Sequence, residues 1–274
     1  MSTTTPRHPL TLVEVVLAHP DRDAVIVRRD LELAGADGRP IAVDLYLPPA
    51  STAGATPPPA VILASGYPDD GFQALLGCRF KEMAGVTSWA RLLAASGVAA
   101  ITYANREPLG DLRALLAGLR RGAEPLGIDG DRLGLWASSG NAPVALAAVI
   151  ERPPGLRAAA LLYGFLLDLE GEAAVAEASR QFGFVDACAG RSLAELPRET
   201  PLLLVRAGGD ATPGLLGALD RLVVAGLAAD LPLTICNCPG AAHAFDLADG
   251  GAASIAAIRQ VVDFLAARLA DTRE

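Results

Sequence analysis

The sequence predicts an α/β protein with a mostly parallel twisted sheet of about eight strands, helices on both faces and an N-terminal antiparallel hairpin. Three observations carry this. From residue 60 to the C-terminus, short apolar runs alternate with segments of helical periodicity. Residues 60–64 (AVILA) and 201–205 (PLLLV) are continuously apolar, and 98–103 (VAAITY) nearly so, as strands buried on both faces of a parallel sheet are. Ahead of them, residues 24–33 and 41–47 alternate apolar with polar or small side chains around the turn-forming AGADGRP, which reads as a hairpin.

Composition narrows the class. With 274 residues, 51% hydrophobic and 20% charged, the chain can bury one large core. A net charge of -8 and a pI near 5.0 leave no basic stripe to neutralise phosphates, so nucleic acid is not an expected partner. The opening MSTTTPRHPLTLVEVV lacks a basic region followed by a sustained apolar core, so no signal peptide is read and a cytoplasmic location is expected. No run approaches the roughly 18 apolar residues of a membrane span. Cys78, Cys188, Cys236 and Cys238 are expected to be free and mostly buried. Cys236 and Cys238 share a strand face, but with three histidines in the whole chain they make poor metal spacing, and no metal or cofactor is expected.

In chain order, residues 1–20 read as a leader, loose or docked, and 21–274 as a single domain. Residues 48–59, rich in Pro, Ala, Ser and Thr, form a surface loop after the hairpin. The strand at 60–64 stops at Ser65-Gly66-Tyr67-Pro68. Trp89, Leu92 and Leu93 lie at helical spacing before Ser96-Gly97, and a strand follows at 98–103. Leu112, Leu115, Leu116 and Leu119 form the next helical face. After the strand at 156–162, the alanine-rich, charged stretch 170–196 reads as helical, and 168–200 is the candidate lid. A strand at 201–205, a helix at 215–227, a strand at 231–236 and an amphipathic helix through Ile255, Ile258, Val262, Leu265 and Leu269 complete the alternation.

Residues 132–141, RLGLWASSGN, organise the chain. An apolar run ends in two serines, glycine and asparagine, and Pro143 onward resumes with Val144, Leu146 and Val149. Strand, tight turn with serine, then helix is the setting of a nucleophile elbow. Ser139 is the candidate nucleophile, because the alternative register on Ser138 puts Trp136 where the turn needs a small residue. Asn141 is a residue that tolerates unusual backbone angles. A helix cap ending a core strand is the competing interpretation of SSGN.

A serine hydroxyl needs a base, and the base needs an orienting acid. His8 and His19 lie in the leader, whereas His243 sits in a loop after the last strand, at the sheet edge that Ser139 occupies. Asp210 ends PLLLVRAGGD at the same edge and completes the order serine, acid, base. Asp168 is the alternative acid, and Asp246, so near His243, is better suited to stabilising its loop. The backbone N–H groups of Gly140 and Tyr67 are the candidate oxyanion donors, with Gly66 allowing close approach.

LASGYPD at 63–69, LGIDGDRLGLWASSGN at 126–141, LLLVRAGGD at 202–210 and PGAAHAFD at 239–246 together resemble the α/β-hydrolase superfamily. Within it they resemble the dienelactone-hydrolase-like and acetyl-esterase-like branch. The resemblance spans 60–270 and implies the α/β-hydrolase fold, Ser139 as nucleophile, Asp210 as acid, His243 as base, and Tyr67 and Gly140 as oxyanion donors. Ala137 and Asn141 replace the usual elbow glycines, and Ser65 stands where many relatives carry histidine. Dienelactone hydrolases use a cysteine nucleophile and none lies at this elbow, so that activity is not implied. The implied function is a serine hydrolase acting on a small or medium carboxylic ester, thioesters and lactones included. Acyl transfer, peptide cleavage and silent ligand binding are the alternatives. Phe72, Tyr163 and Phe165 follow strand ends and are candidates for an apolar substrate pocket. The expected partner is a small-molecule ester, with no nucleic acid or membrane, and a homo-oligomer is left open.

Overall fold

The computed structural model describes residues 6–50, 52 and 56–270. The first five residues of the leader, positions 51 and 53–55 of the surface loop, and 271–274 lie outside the described residues. The strands are β1 (Ile26–Ala34), β2 (Pro40–Leu47), β3 (Pro59–Leu63), β4 (Ala99–Tyr103), β5 (Asp129–Ser138), β6 (Leu156–Leu162), β7 (Leu202–Ala207) and β8 (Leu233–Cys238). The helices are α1 (Asp69–Leu76), α2 (Ala84–Ala95), α3 (Pro108–Arg121), α4 (Ala123–Leu126), α5 (Ala142–Ile150), α6 (Ala174–Phe182), α7 (Leu215–Ala228), α8 (Phe245–Ala248) and α9 (Ala252–Ala270).

Among the described residues the strands form one sheet in the order β1-β2-β4-β3-β5-β6-β7-β8. β1 and β2 form the antiparallel hairpin, with Ile26 opposite Leu47 and Ala34 opposite Pro40, and β2 pairs antiparallel with β4. From β4 onward every pairing is parallel. β3 and β4 are buried along their whole length, which is why they read as apolar runs broken only by Thr102. One face of the sheet packs with α2 and α9, the other with α3, α5 and α7. α5 is apolar on every side, APVALAAVI, and all nine of its residues are buried.

The order places the site. From β3 the chain moves to one side to make β4, then returns past β3 to make β5. The crevice at the carboxyl ends of β3 and β5 is therefore the topological switch point, where open α/β sheets bind their ligands.

Several elements differ from the sequence expectation. Helix covers only 174–182 of the stretch 170–196, apart from a single 3-10 turn at Leu193–Glu195. Gly183, at φ 79°, takes the left-handed conformation that ends α6, and its N–H donates to the Ser179 carbonyl. Alanine content supplied the helical propensity, and glycines in left-handed conformation at 171, 183 and 190 confine the helix to the part between the first two. α1 was not anticipated, because its first turn, Asp69-Asp70-Gly71, reads as a loop.

The described part of the leader is docked. The Val15 N–H donates to Ser88 Oγ at 2.8 Å, and the Val16 N–H donates to the Asp246 carbonyl at 2.8 Å. A buried ion cluster pins the hairpin to the segment before α2. Lys81 Nζ, 3% exposed, donates to Asp44 Oδ1 at 2.7 Å and to Asp30 Oδ1 at 2.8 Å. Asp30 sits at φ 52° beside the bulge in β1, and its N–H also donates to Asp44.

Candidate active site

Ser139 stands one residue past β5, with φ 54°, a left-handed conformation costly for a side chain with a Cβ. The 3-10 turn Ser139–Asn141 leads directly into α5, whose first turn carries Pro143. Ser139 Oγ lies 2.8 Å from His243 Nε2, and His243 Nδ1 lies 2.6 Å from Asp210 Oδ2. An ionised carboxylate only accepts, so Nδ1 carries the hydrogen and Nε2 faces the serine hydroxyl as the acceptor. Asp210 is buried, and its second oxygen accepts the Thr212 N–H at 2.8 Å.

The loops that carry Asp210 and His243 fit because of two glycines. A Cβ at Gly208 would lie 2.6 Å from the Pro239 carbonyl oxygen, and one at Gly209 would lie 2.9 Å from that of Gly240. With no Cβ, the Gly208 N–H donates to the Cys238 carbonyl and the Gly209 N–H to that of Ala241. The carboxylate after β7 is thereby locked to the histidine loop after β8.

Asp168, the alternative acid, points elsewhere. Its oxygens accept the Val175 and Ala176 N–H groups at 2.9 and 3.0 Å, in the first turn of α6, where a negative charge is favoured. Asp246 also stays off the imidazole nitrogens. Its carboxylate, 1% exposed, takes Trp89 Nε1–H at 2.7 Å and the Tyr163 hydroxyl at 2.6 Å. Burial raises its pKa, and the donors Tyr163 and Trp89 offset that only in part. Through these bonds Asp246 ties α8 to α2 and to the end of β6, and the Tyr163 ring meets His243 edge-on at 5.0 Å. Asp246 thus holds the loop.

The elbow differs from expectation at Asn141. Its backbone is ordinary right-handed helix, φ -84° and ψ -20°, so Ser139 alone in this turn bears the unusual angle. The side chain of Asn141 acts instead as a latch. Its Oδ1 accepts the Gly66 N–H at 2.8 Å, and its Nδ2 donates to the Ser138 carbonyl at 3.0 Å. A Cβ on Gly66 would fall 2.9 Å from Asn141 Cα, so the loop after β3 lies directly on the elbow. The signal for this was that a buried amide must find partners.

The Gly66 N–H is engaged, whereas the next one is nearly free. The Tyr67 N–H reaches Ser65 Oγ at 3.4 Å, at the far limit of hydrogen bonding. The Tyr67 phenol is pushed up to about 12 by burial and is neutral at physiological pH.

A cavity of about 420 Å³ opens on Ser139 and His243. Phe72, Tyr163 and Phe165 line it, joined by Phe182 and Phe184 from the candidate lid segment. Among the described residues, no group of three or more His, Cys, Asp or Glu could hold a metal ion, and no helix is long and apolar enough to cross a membrane. The four cysteines are free and buried, with the Cys236 and Cys238 sulfurs 3.9 Å apart on one strand face.

No protein-family model matches the chain, and no curated protein matches it. Solved structures do. A bacterial heroin esterase is similar at 18% identity and TM-score 0.70, over 92% of this chain and 87% of that one. A thermostable esterase from Pseudomonas putida is similar at 17% identity and TM-score 0.67, over 93% and 86%. The esterase LipW from Mycobacterium marinum is similar at 20% identity and TM-score 0.66, over 89% and 82%. At such identities the likeness establishes architecture: the chain has the α/β-hydrolase fold. The fold admits many chemistries, so function must be argued from the site.

Proposed function

We propose that this protein is a serine hydrolase that cleaves a small or medium carboxylic ester through an acyl-enzyme, with thioesters and lactones open to the same chemistry. The observation that carries the reading is the relay of Ser139, His243 and Asp210, at 2.8 and 2.6 Å, on the sheet edge beside an apolar cavity. The esterase likenesses and the motifs resembling the dienelactone-hydrolase-like and acetyl-esterase-like branch support it.

In this reading Ser139 Oγ attacks the ester carbonyl carbon while its proton passes to His243 Nε2. Asp210 holds the ring in the tautomer that leaves Nε2 free and stabilises the imidazolium that forms. The carbonyl oxygen becomes an oxyanion held by the N–H groups of Gly140 and Tyr67. The intermediate collapses, the C–O bond to the alcohol breaks, and the alcohol leaves with the proton from His243. Water, deprotonated by His243, then attacks the acyl-enzyme, and the acid departs as Ser139 recovers its proton.

The test is turnover of nitrophenyl acetate and butyrate. Ser139→Ala and Asp210→Asn are each expected to lower kcat by about a thousandfold or more, while Asp168→Asn retains wild-type turnover. Full activity in Ser139→Ala, or a loss in Asp168→Asn alone, would overturn the assignment.

A further inference from the structure

Aromatic residues are scarce in this chain, at 5%, yet they are gathered in one place. Both tryptophans, five of the seven phenylalanines and two of the four tyrosines line the cavity beside Ser139. Core packing alone does not call for that concentration, because the aliphatic side chains that fill the rest of the core are far more numerous.

The rings also form an ordered series. Phe165 stacks on Phe184 with centroids 5.8 Å apart and planes 22° from parallel, and Phe184 meets Tyr67 edge-on at 6.3 Å. Tyr67 lies 5.2 Å from Phe72, tilted by 51°, and Phe72 meets Phe80 edge-on at 6.2 Å. This series runs from the end of β6, past the loop carrying the Tyr67 N–H, to the segment before α2. It packs on the elbow itself, since a Cβ at Gly140 would fall 2.7 Å from Phe184 Cδ1. These rings line the cavity at differing inclinations to one another, and an incoming ring can pair with such a wall in the offset-stacked or edge-on arrangements that aromatic pairs prefer.

Charge selects as well. No lysine or arginine lines the cavity. Its one carboxylate apart from the relay, Asp246, already has a donor on each oxygen. An anionic arm would find no cation, and a cationic arm would find a carboxylate that is buried and engaged. The volume of about 420 Å³ is near the small end for ligand sites, enough for one ring and a short second arm.

We propose that the substrate is an uncharged ester bearing an aromatic ring on one arm and a short group on the other, with the ring seated against the series from Phe165 to Phe80. This rests on the ester-hydrolase reading, and two measurements keep the two apart. The first compares kcat/KM for esters matched in size but not in aromaticity: ethyl phenylacetate against ethyl cyclohexylacetate, and benzyl acetate against cyclohexylmethyl acetate. Ethyl acetate reports turnover of any ester. One ring pair is worth roughly two- to twelvefold, so contact with several predicts an aryl preference of about tenfold or more in at least one comparison. The comparison that shows it identifies the arm. In Phe184→Leu the aryl-to-saturated ratio is expected to fall by about two- to twelvefold. Ratios near one in both comparisons, with ethyl acetate hydrolysed, would overturn the aromatic assignment and leave the hydrolase reading intact.

The second measurement does not need turnover. Both tryptophans line this cavity, so tryptophan fluorescence of Ser139→Ala reports its occupancy. In at least one of the two matched pairs the aryl ester is expected to bind about tenfold more tightly than its saturated counterpart. Equal affinities in both pairs would again overturn the assignment. A clear aryl preference in binding, with no ester turned over by the wild type, would sustain the aromatic site and count against the hydrolase.

Discussion

Replacing Asn141 by glycine, the residue usual at this elbow position, is expected to damage both the stability of this protein and the activity proposed for it. The substitution removes the acceptor of the Gly66 N–H and the donor to the Ser138 carbonyl, in a region where Gly66 and Gly140 are buried. An orphaned buried donor costs about 1–3 kcal/mol and a lost neutral hydrogen bond about 0.5–1.5 kcal/mol. Together these give about 1.5–4.5 kcal/mol of stability, or roughly 3–8 °C in Tm for a domain of this size. The larger effect falls on catalysis. The latch fixes the loop whose next residue offers the Tyr67 N–H, and misplacing a group by about 1 Å costs on the order of a hundredfold. In the proposed mechanism that donor acts on the charged intermediate, so kcat is expected to fall by about 10- to 100-fold while KM changes by less than about threefold. Asn141→Asp separates the two halves of the latch, keeping the acceptor for Gly66 and losing the donor to Ser138. Steady-state kinetics on nitrophenyl butyrate and thermal melts provide the readouts. A glycine variant with lowered Tm but kcat within about twofold of wild type would refute the link between latch and oxyanion loop.

Two further outcomes follow from the buried ionisable groups. Burial pulls the Lys81 pKa down, but hydrogen bonds to Asp30 and Asp44 outweigh it and the net shift is upward. The stability this gives is fully present below the ordinary lysine value of about 10.4 and is lost as pH rises through the higher folded value. Lys81→Met, which leaves the buried Asp44 with only the exposed Arg29, at 3.4 Å, as a cation, is expected to lose up to about 3–5 kcal/mol at neutral pH in urea melts. The gap should narrow only above about pH 10.4, and narrowing already at pH 9 would contradict the cluster. Burial also pushes the Cys188 and Cys236 thiols up to about 12. Iodoacetamide at pH 8 is expected to leave the native protein active and all four cysteines unmodified until urea unfolds it, as mass spectrometry would register.

What could be read before any coordinates, and what could not, follows from where the information resides. AVILA and PLLLV announce buried strands because a parallel strand covered on both faces tolerates little else. The same uniformity hides the order: nothing in these runs says that β4 lies between β2 and β3, since either face suits any neighbour. Ser139, Asp210 and His243 could be singled out because each lies in the turn or loop that follows a strand, and chain order alone puts those ends on one edge. Asn141 could not be understood this way. Its partner is Gly66, 75 positions away, and the backbone freedom expected of it belongs to Ser139. The overextended helix at 170–196 has the opposite origin, local propensity without the tertiary contact. Asp168, read as an alternative acid, is occupied by the first turn of α6. The aromatic lining of the cavity was legible at Phe72, Tyr163 and Phe165, whereas Phe182 and Phe184 lay inside the stretch mistaken for continuous helix.

The most direct measurement is the site of covalent capture by a fluorophosphonate. Such a reagent forms a stable phosphonyl ester only with a hydroxyl that a neighbouring base deprotonates. After digestion, mass spectrometry is expected to find the adduct on Ser139, absent in Ser139→Ala and retained in Ser138→Ala. An adduct on Ser138, or a native protein that takes up no probe at all, would contradict a nucleophile at Ser139.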